Sequence, residues 1–126
     1  MREVISLVPS EERLANVIWR EAPLASSELV VLALEELGWK KSTTYTILRK
    51  LCEKGIFKNE HTNISVIITR DELLSEQSRH YIEDSFGGSL PRFFTSFFGD
   101  KKLSPTQAEE LIQLIKKHES GGEMNE

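Results

Sequence analysis

Residues 38–57 read GWKKSTTYTILRKLCEKGIF, and this stretch decides how the rest of the chain is read. Gly38 and Gly55 bracket it, and glycine past a helix end is a common stop signal. Between them the spacing predicts a helix over Ser42–Lys54, with Ser42 as its cap. Thr44, Ile47, Leu48 and Leu51 recur at helical spacing and form a core face. Thr43, Tyr45, Thr46, Arg49 and Lys50 lie on the other faces. From Trp39 to Lys58 there are six bases, Lys40, Lys41, Arg49, Lys50, Lys54 and Lys58, and one acid, Glu53. The helix is therefore basic as well as amphipathic.

Upstream, a first helix is expected from Ser10, with Ser10 as cap and Glu11 and Glu12 in the positive first turn. Leu14, Val17 and Ile18 give its buried stripe, and Ala22-Pro23 ends it because a residue before proline disfavours α geometry. A second helix fits Ser27–Leu37, capped by Ser26 or Ser27, burying Leu29, Val30, Ala33, Leu34 and Leu37. The connector Gly38-Trp39-Lys40-Lys41 has helix-turn-helix length. Downstream, Ile56–Glu60 and Ile64–Thr69 are β-rich runs around His61-Thr62-Asn63, which reads as a hairpin. Helix, helix, basic helix, hairpin is the order of a winged helix, in which the third helix enters the DNA major groove. The candidate DNA-binding residues follow. Lys40, Lys41, Arg49, Lys50 and Lys58 would neutralise phosphates, and Ser42, Thr43, Tyr45 and Thr46 would face base edges. His61 and Asn63, at the wing tip, would touch backbone or minor groove.

From Asp71 onward the chain predicts three more helices. One spans about Glu72–Phe86 before Gly87-Gly88, and a short one spans Leu90–Phe98 with Ser89 as cap. The last opens on the capping box Ser104-Pro105-Thr106-Gln107. This part is too small for an ordinary independent core, yet it holds five of the six phenylalanines. Packing against a second copy in a two-fold dimer is the favoured resolution, with folding back onto the N-terminal part as the alternative. The expected dimer surface is Tyr81, Phe86, Leu90, Phe93, Phe94, Phe97, Leu111, Leu114 and Ile115. The domain plan is thus residues 1–70 for the winged helix, 71–119 for dimerisation, and a disordered tail over 120–126. The fold class is mainly α with a small β-hairpin.

The whole chain of 126 residues has net charge −4, which by itself argues against nucleic acid. Divided by position, residues 39–58 carry +5, and the remainder holds ten bases against nineteen acids. DNA senses the local field of a docking face rather than the total. No apolar run approaches the ~20 residues that span a bilayer, no secretory signal is visible, and a lone cysteine, Cys52, suits a reducing cytoplasm. Trp19 and Trp39 read as packing residues, and Cys52 as an inert small side chain rather than a redox switch. His61, His80 and His118 lack metal-site spacing, no catalytic constellation is present, and neither a cofactor nor a metal is expected.

Residues 38–57, residues 86–104 (FGGSLPRFFTSFFGDKKLS), the following EELIQLI helix and the first helix with Glu12, Leu14, Val17, Ile18 and Trp19 resemble the penicillinase-repressor (BlaI/MecI/CopY) family. The resemblance runs from about residue 7 to 118. It implies a homodimeric winged-helix repressor on a partly palindromic DNA operator, with Thr43 and Thr46 on the DNA-facing side and Lys50 at a commonly arginine position. It also implies a membrane sensor or protease upstream. Resistance repressors of the family are cut at an asparagine–phenylalanine bond, where this chain has Ser96-Phe97, so relief by that cut is not expected. The copper-responsive members' Cys-x-Cys cluster is missing as well. The expected function is a transcriptional repressor and not an enzyme. The competing reading is a winged-helix protein–protein interaction module without specific DNA binding.

Overall fold

The computed structural model describes residues 4–120. The first helix, α1 (Pro9–Glu21), starts earlier than a Ser10 cap would place it. Val8 holds the cap position, and Pro9 takes the first helical place, where its missing N–H costs nothing. The Val8 N–H donates to Glu11 Oε1 at 3.0 Å. A carboxylate three residues along thus does the work expected of Ser10, which lies inside the helix. The helix stops at Glu21 because Ala22, before Pro23, is extended (φ −66°, ψ 148°).

A two-residue strand, β1 (Leu24–Ala25), precedes α2 (Ser26–Leu37). The α2 cap position is Ala25, not Ser26 or Ser27; its N–H donates to Glu28 Oε1 at 2.9 Å. Leu29 and Ala33 are buried, and Val30 and Leu37 are half-buried. Leu34, expected on the buried face, is 60% exposed. It lies one 100° step past Ala33, at the edge of the stripe that Leu29 and Ala33 centre.

Gly38 (φ 72°) turns the chain into α3 (Lys41–Glu53), whose cap position is Lys40 rather than Ser42. Thr44, Ile47, Leu48 and Leu51 are buried, as their spacing predicts. Two strands follow, β2 (Phe57–Glu60) and β3 (Asn63–Val66), paired antiparallel from Phe57↔Val66 to Glu60↔Asn63. β3 ends short of Thr69 because the Ile67 and Ile68 N–H groups turn back onto the Ile56 carbonyl, at 2.8 and 3.1 Å. β1 pairs with β3 through Leu24↔Ile64, so the sheet has three strands in the order β1-β3-β2. β1 is not legible in the sequence, since two residues show no periodicity.

The core joins α1, α2, α3 and the sheet through Leu14, Ile18, Leu29, Leu51, Phe57 and Ile64. Trp19 seals its edge, its indole N–H donating to the Ile68 carbonyl at 3.0 Å and its ring 5.5 Å from Phe57. Truncating one of these buried side chains to alanine costs about 2–5 kcal/mol. The architecture is a winged helix-turn-helix, mainly helical with a small antiparallel sheet.

Helix α4 (Arg70–Phe86) starts ahead of Glu72, under a full capping box. Thr69 Oγ1 accepts from the Glu72 N–H at 3.1 Å, and Glu72 Oε1 accepts from the Thr69 N–H at 2.9 Å. Leu73 joins the core, and Gln77 Nε2 donates to the Ile5 carbonyl at 2.8 Å. The chain divides into two compact units between Gly88 and Ser89. The second unit contains α5 (Leu90–Phe98), capped by Ser89, and α6 (Pro105–His118), capped by Ser104. On α5, Phe93 stacks near Phe97 (5.8 Å) and Phe94 near Phe98 (5.6 Å). No residue of α5 or α6 is buried. The expected disordered tail falls, from residue 121 on, outside the described residues.

Candidate nucleic-acid interface

Alternation of core and solvent positions along α3 presents its basic residues together. Lys40, Lys41, Ser42, Thr43, Thr46, Arg49 and Lys50 are all exposed. Among the described helices α3 alone has neither an acidic residue in its first turn nor a side chain bonded at its cap. Thr44 Oγ1 donates to the Lys40 carbonyl at 3.1 Å and so caps no N–H. The first-turn amides and the positive end of the helix dipole are left for an external anion, with Lys40 and Lys41 beside them. Every other helix of the winged unit spends a glutamate there.

Tyr45 is placed differently from its neighbours. It is half-buried against the core, and its hydroxyl lies 3.4 Å from Ser26 Oγ at the start of α2. Ser26 is 5% exposed, and its N–H donates to the Thr62 carbonyl in the wing turn at 2.8 Å. One buried serine thus stands between α3, α2 and the hairpin tip. In the sequence Ser26 is only a candidate cap; its burial comes from the wing turn that packs beside it.

Lys54, counted in the basic island, faces inward. Its Nζ donates to Glu11 Oε1 at 2.6 Å and to the Ser6 carbonyl at 2.8 Å. Glu11 is 4% exposed. Burial alone would raise its pKa, but the hydrogen bonds from Lys54 and the Val8 N–H, with the charges of Lys54 and Lys50, outweigh burial and hold it below the ordinary 4.5. The pair ties the end of α3 to the start of α1 and leaves five of the six bases facing solvent. Lys58 is one of these, in a loose exposed pair with Glu60 at 3.3 Å, a geometry worth little in water.

At the wing tip, His61 and Thr62 both have positive φ, 53° and 63°. Two such residues between Glu60 and Asn63 make the two-residue primed turn whose twist matches a hairpin. His61, Thr62 and Asn63 are all exposed. Cys52, by contrast, is half-buried next to the core, and burial pushes its thiol pKa up, which keeps it protonated. Among the described residues no group of three His, Cys, Asp or Glu side chains could hold a metal ion, and no helix is long and apolar enough to cross a membrane.

A three-helix core with a basic, uncapped third helix and a following hairpin defines a winged-helix protein of the DNA-binding class. The chain belongs to the penicillinase repressor family, whose profile matches residues 7–117. Its sequence is 22% identical over 125 residues to the penicillinase repressor of Bacillus licheniformis, an alignment covering 95% of this chain and 97% of that one. It is also 22% identical over 113 residues to a 16.5 kDa protein in the ptsI 3′ region of Latilactobacillus sakei, covering 86% of this chain and 77% of that protein. The family is one of DNA-binding transcriptional repressors.

Proposed function

We propose that the protein is a homodimeric transcriptional repressor that reads a partly palindromic DNA operator through α3. The observation that carries this reading is the exposed set Lys40, Lys41, Ser42, Thr43, Thr46, Arg49 and Lys50 at and along the helix that, among the described ones, has neither a first-turn acid nor a bonded cap. Lysines and arginine neutralise phosphates and fix register, and the hydroxyls meet base edges. Tyr45, held toward Ser26, contributes through orientation of α3 as well as through its exposed edge. Lys58, His61 and Asn63 supply the wing contacts.

The dimer is proposed on the second unit and the end of α4. Leu90, Phe97, Leu114 and Ile115 are more than half exposed, Phe97 to 63%, on helices with no buried residue. An apolar surface of this kind suits a second copy. In the first unit Tyr81 and Phe86, 5.8 Å apart edge to face, are also assigned to the dimer surface, as are Phe93, Phe94 and Leu111 in the second. Functionally we divide the chain at 70/71 into DNA-binding and dimerising parts, a membrane sensor or protease acting upstream.

Fluorescence anisotropy tests the reading with an inverted-repeat duplex from the gene's upstream region, a single half-site and a scrambled duplex. Tighter binding to the inverted repeat than to either control is expected. Equal affinity for all three would favour a protein–protein interaction module instead.

A further inference from the structure

The winged unit has a second unusual surface, of opposite sign to α3. On α2, Val31 is 52% exposed and Leu34 60%, three residues apart on one helix face. Beside them a groove of about 470 Å³ is lined by Glu21, Pro23, Leu24, Glu28, Val31 and Leu32. Helical spacing sets Glu28 and Glu35 on either side of Val31, at i−3 and i+4. The α2 sequence SSELVVLALEEL contains three glutamates and no base. The nearby cation, Arg20, is engaged by Glu21 at 2.7 Å and by Glu36 at 2.5 Å. Among the described residues neither Glu28 nor Glu35 has an ion-pair partner.

We propose that this face of α2 docks a basic segment of a partner protein, which seats an apolar side chain on Val31, Leu34 and the groove and sets lysines or arginines against Glu28 and Glu35. Charge complementarity selects this occupant. DNA and anionic membrane surfaces are repelled by an acidic rim. A second copy would press Glu28 and Glu35 against the same two carboxylates of its mate, a like-charge arrangement that works against self-association. A basic, apolar-anchored segment satisfies both the charge and the exposed apolar area. A repressor built this way would hold DNA with one helix of its helix-turn-helix and a protein with the other.

The test uses the full chain and a fluorescein-labelled synthetic helical peptide with leucines at i, i+3, i+4 and i+7 and lysines elsewhere. A control peptide has serines in place of the leucines. Saturable binding of the leucine–lysine peptide is expected, with at least fivefold weaker binding of the serine control. Val31→Ser with Leu34→Ser, and separately Glu35→Gln, should each weaken binding at least fivefold while leaving the ratio of specific to scrambled DNA affinity unchanged. Amide chemical-shift changes in the wild type should centre on residues 23–35. Equal binding of both peptides, unchanged binding by the variants, shifts centred on α5 and α6, or an oligomeric state altered by Val31→Ser with Leu34→Ser would each overturn the proposal.

Discussion

Glu11 shows how a single residue can serve two elements at once. It accepts the Val8 N–H that opens α1 and the Lys54 ammonium that closes α3, and it does so from a buried position. Replacing it by glutamine keeps the shape but removes the charge, so Glu11→Gln should cost about 2 kcal/mol at neutral pH, read from urea unfolding. Because the folded pKa lies below 4.5, the carboxylate's contribution is complete above pH 4.5 and is lost as pH falls through the lowered folded value. The gap between wild type and Glu11→Gln should therefore narrow below pH 4.5; a gap constant down to pH 3 would contradict the assignment. Thr62 is the opposite case, a β-branched residue held at φ 63°. Left-handed backbone at such a residue costs of order 1 kcal/mol, and glycine adopts it freely. Thr62→Gly should raise the thermal midpoint, and a lowered midpoint would show that the Thr62 side chain earns its place in the turn.

At the scale of elements, the labour of α3 is divided by position in the proposed reading. The residues assigned to phosphates would act on all DNA alike. Lys40→Ala and Lys41→Ala should each weaken specific and scrambled duplexes together and reduce the slope of log affinity against log salt by about 1. Thr43→Ala and Thr46→Ala should each lower discrimination between the two duplexes by about 0.5–1.5 kcal/mol, the worth of one neutral hydrogen bond, with the salt slope unchanged. Anisotropy titrations at several salt concentrations separate the two outcomes. Helix spacing made the buried face of α3 readable in advance, because Thr44, Ile47, Leu48 and Leu51 recur on one side. Helix starts were less readable. Serines at 10, 26 or 27, and 42 looked like caps, but glutamates at 11 and 28 claim the first two helices, and α3 has no cap at all. Several residues near a helix start can cap it, and the choice among them depends on how the preceding chain enters.

For the whole molecule, the charge distribution and the proposed dimer are the relevant features. Residues 39–58 carry +5 and the remainder is net acidic, so the field around the basic island is the one that favours DNA. The proposed dimer rests on aromatic area that the described chain leaves exposed, and Phe97 is its most exposed large residue. Phe97→Asp should weaken self-association by about 2–4 kcal/mol, the usual effect of losing an interface anchor, and should reduce operator binding in parallel. Sedimentation equilibrium measures the first effect and anisotropy the second. An unchanged dimer would move the interface elsewhere.

By itself the sequence determined the order of the helices and the hairpin, the buried stripe of α3, the basic island and the family, because each is written in local spacing, composition or motif. It could not assign Lys54 to Glu11, place Ser26 between Tyr45 and the wing, insert β1 beside β3, or expose Leu34 at the edge of its stripe. The first three depend on which distant segment arrives alongside, and the fourth on how wide a stripe of α2 the core covers. The pairing partners are 43 residues apart for Lys54 and Glu11 and 19 for Tyr45 and Ser26. Local periodicity reports which side of a helix is apolar; only the packed chain decides what that side meets and which polar groups are left without water.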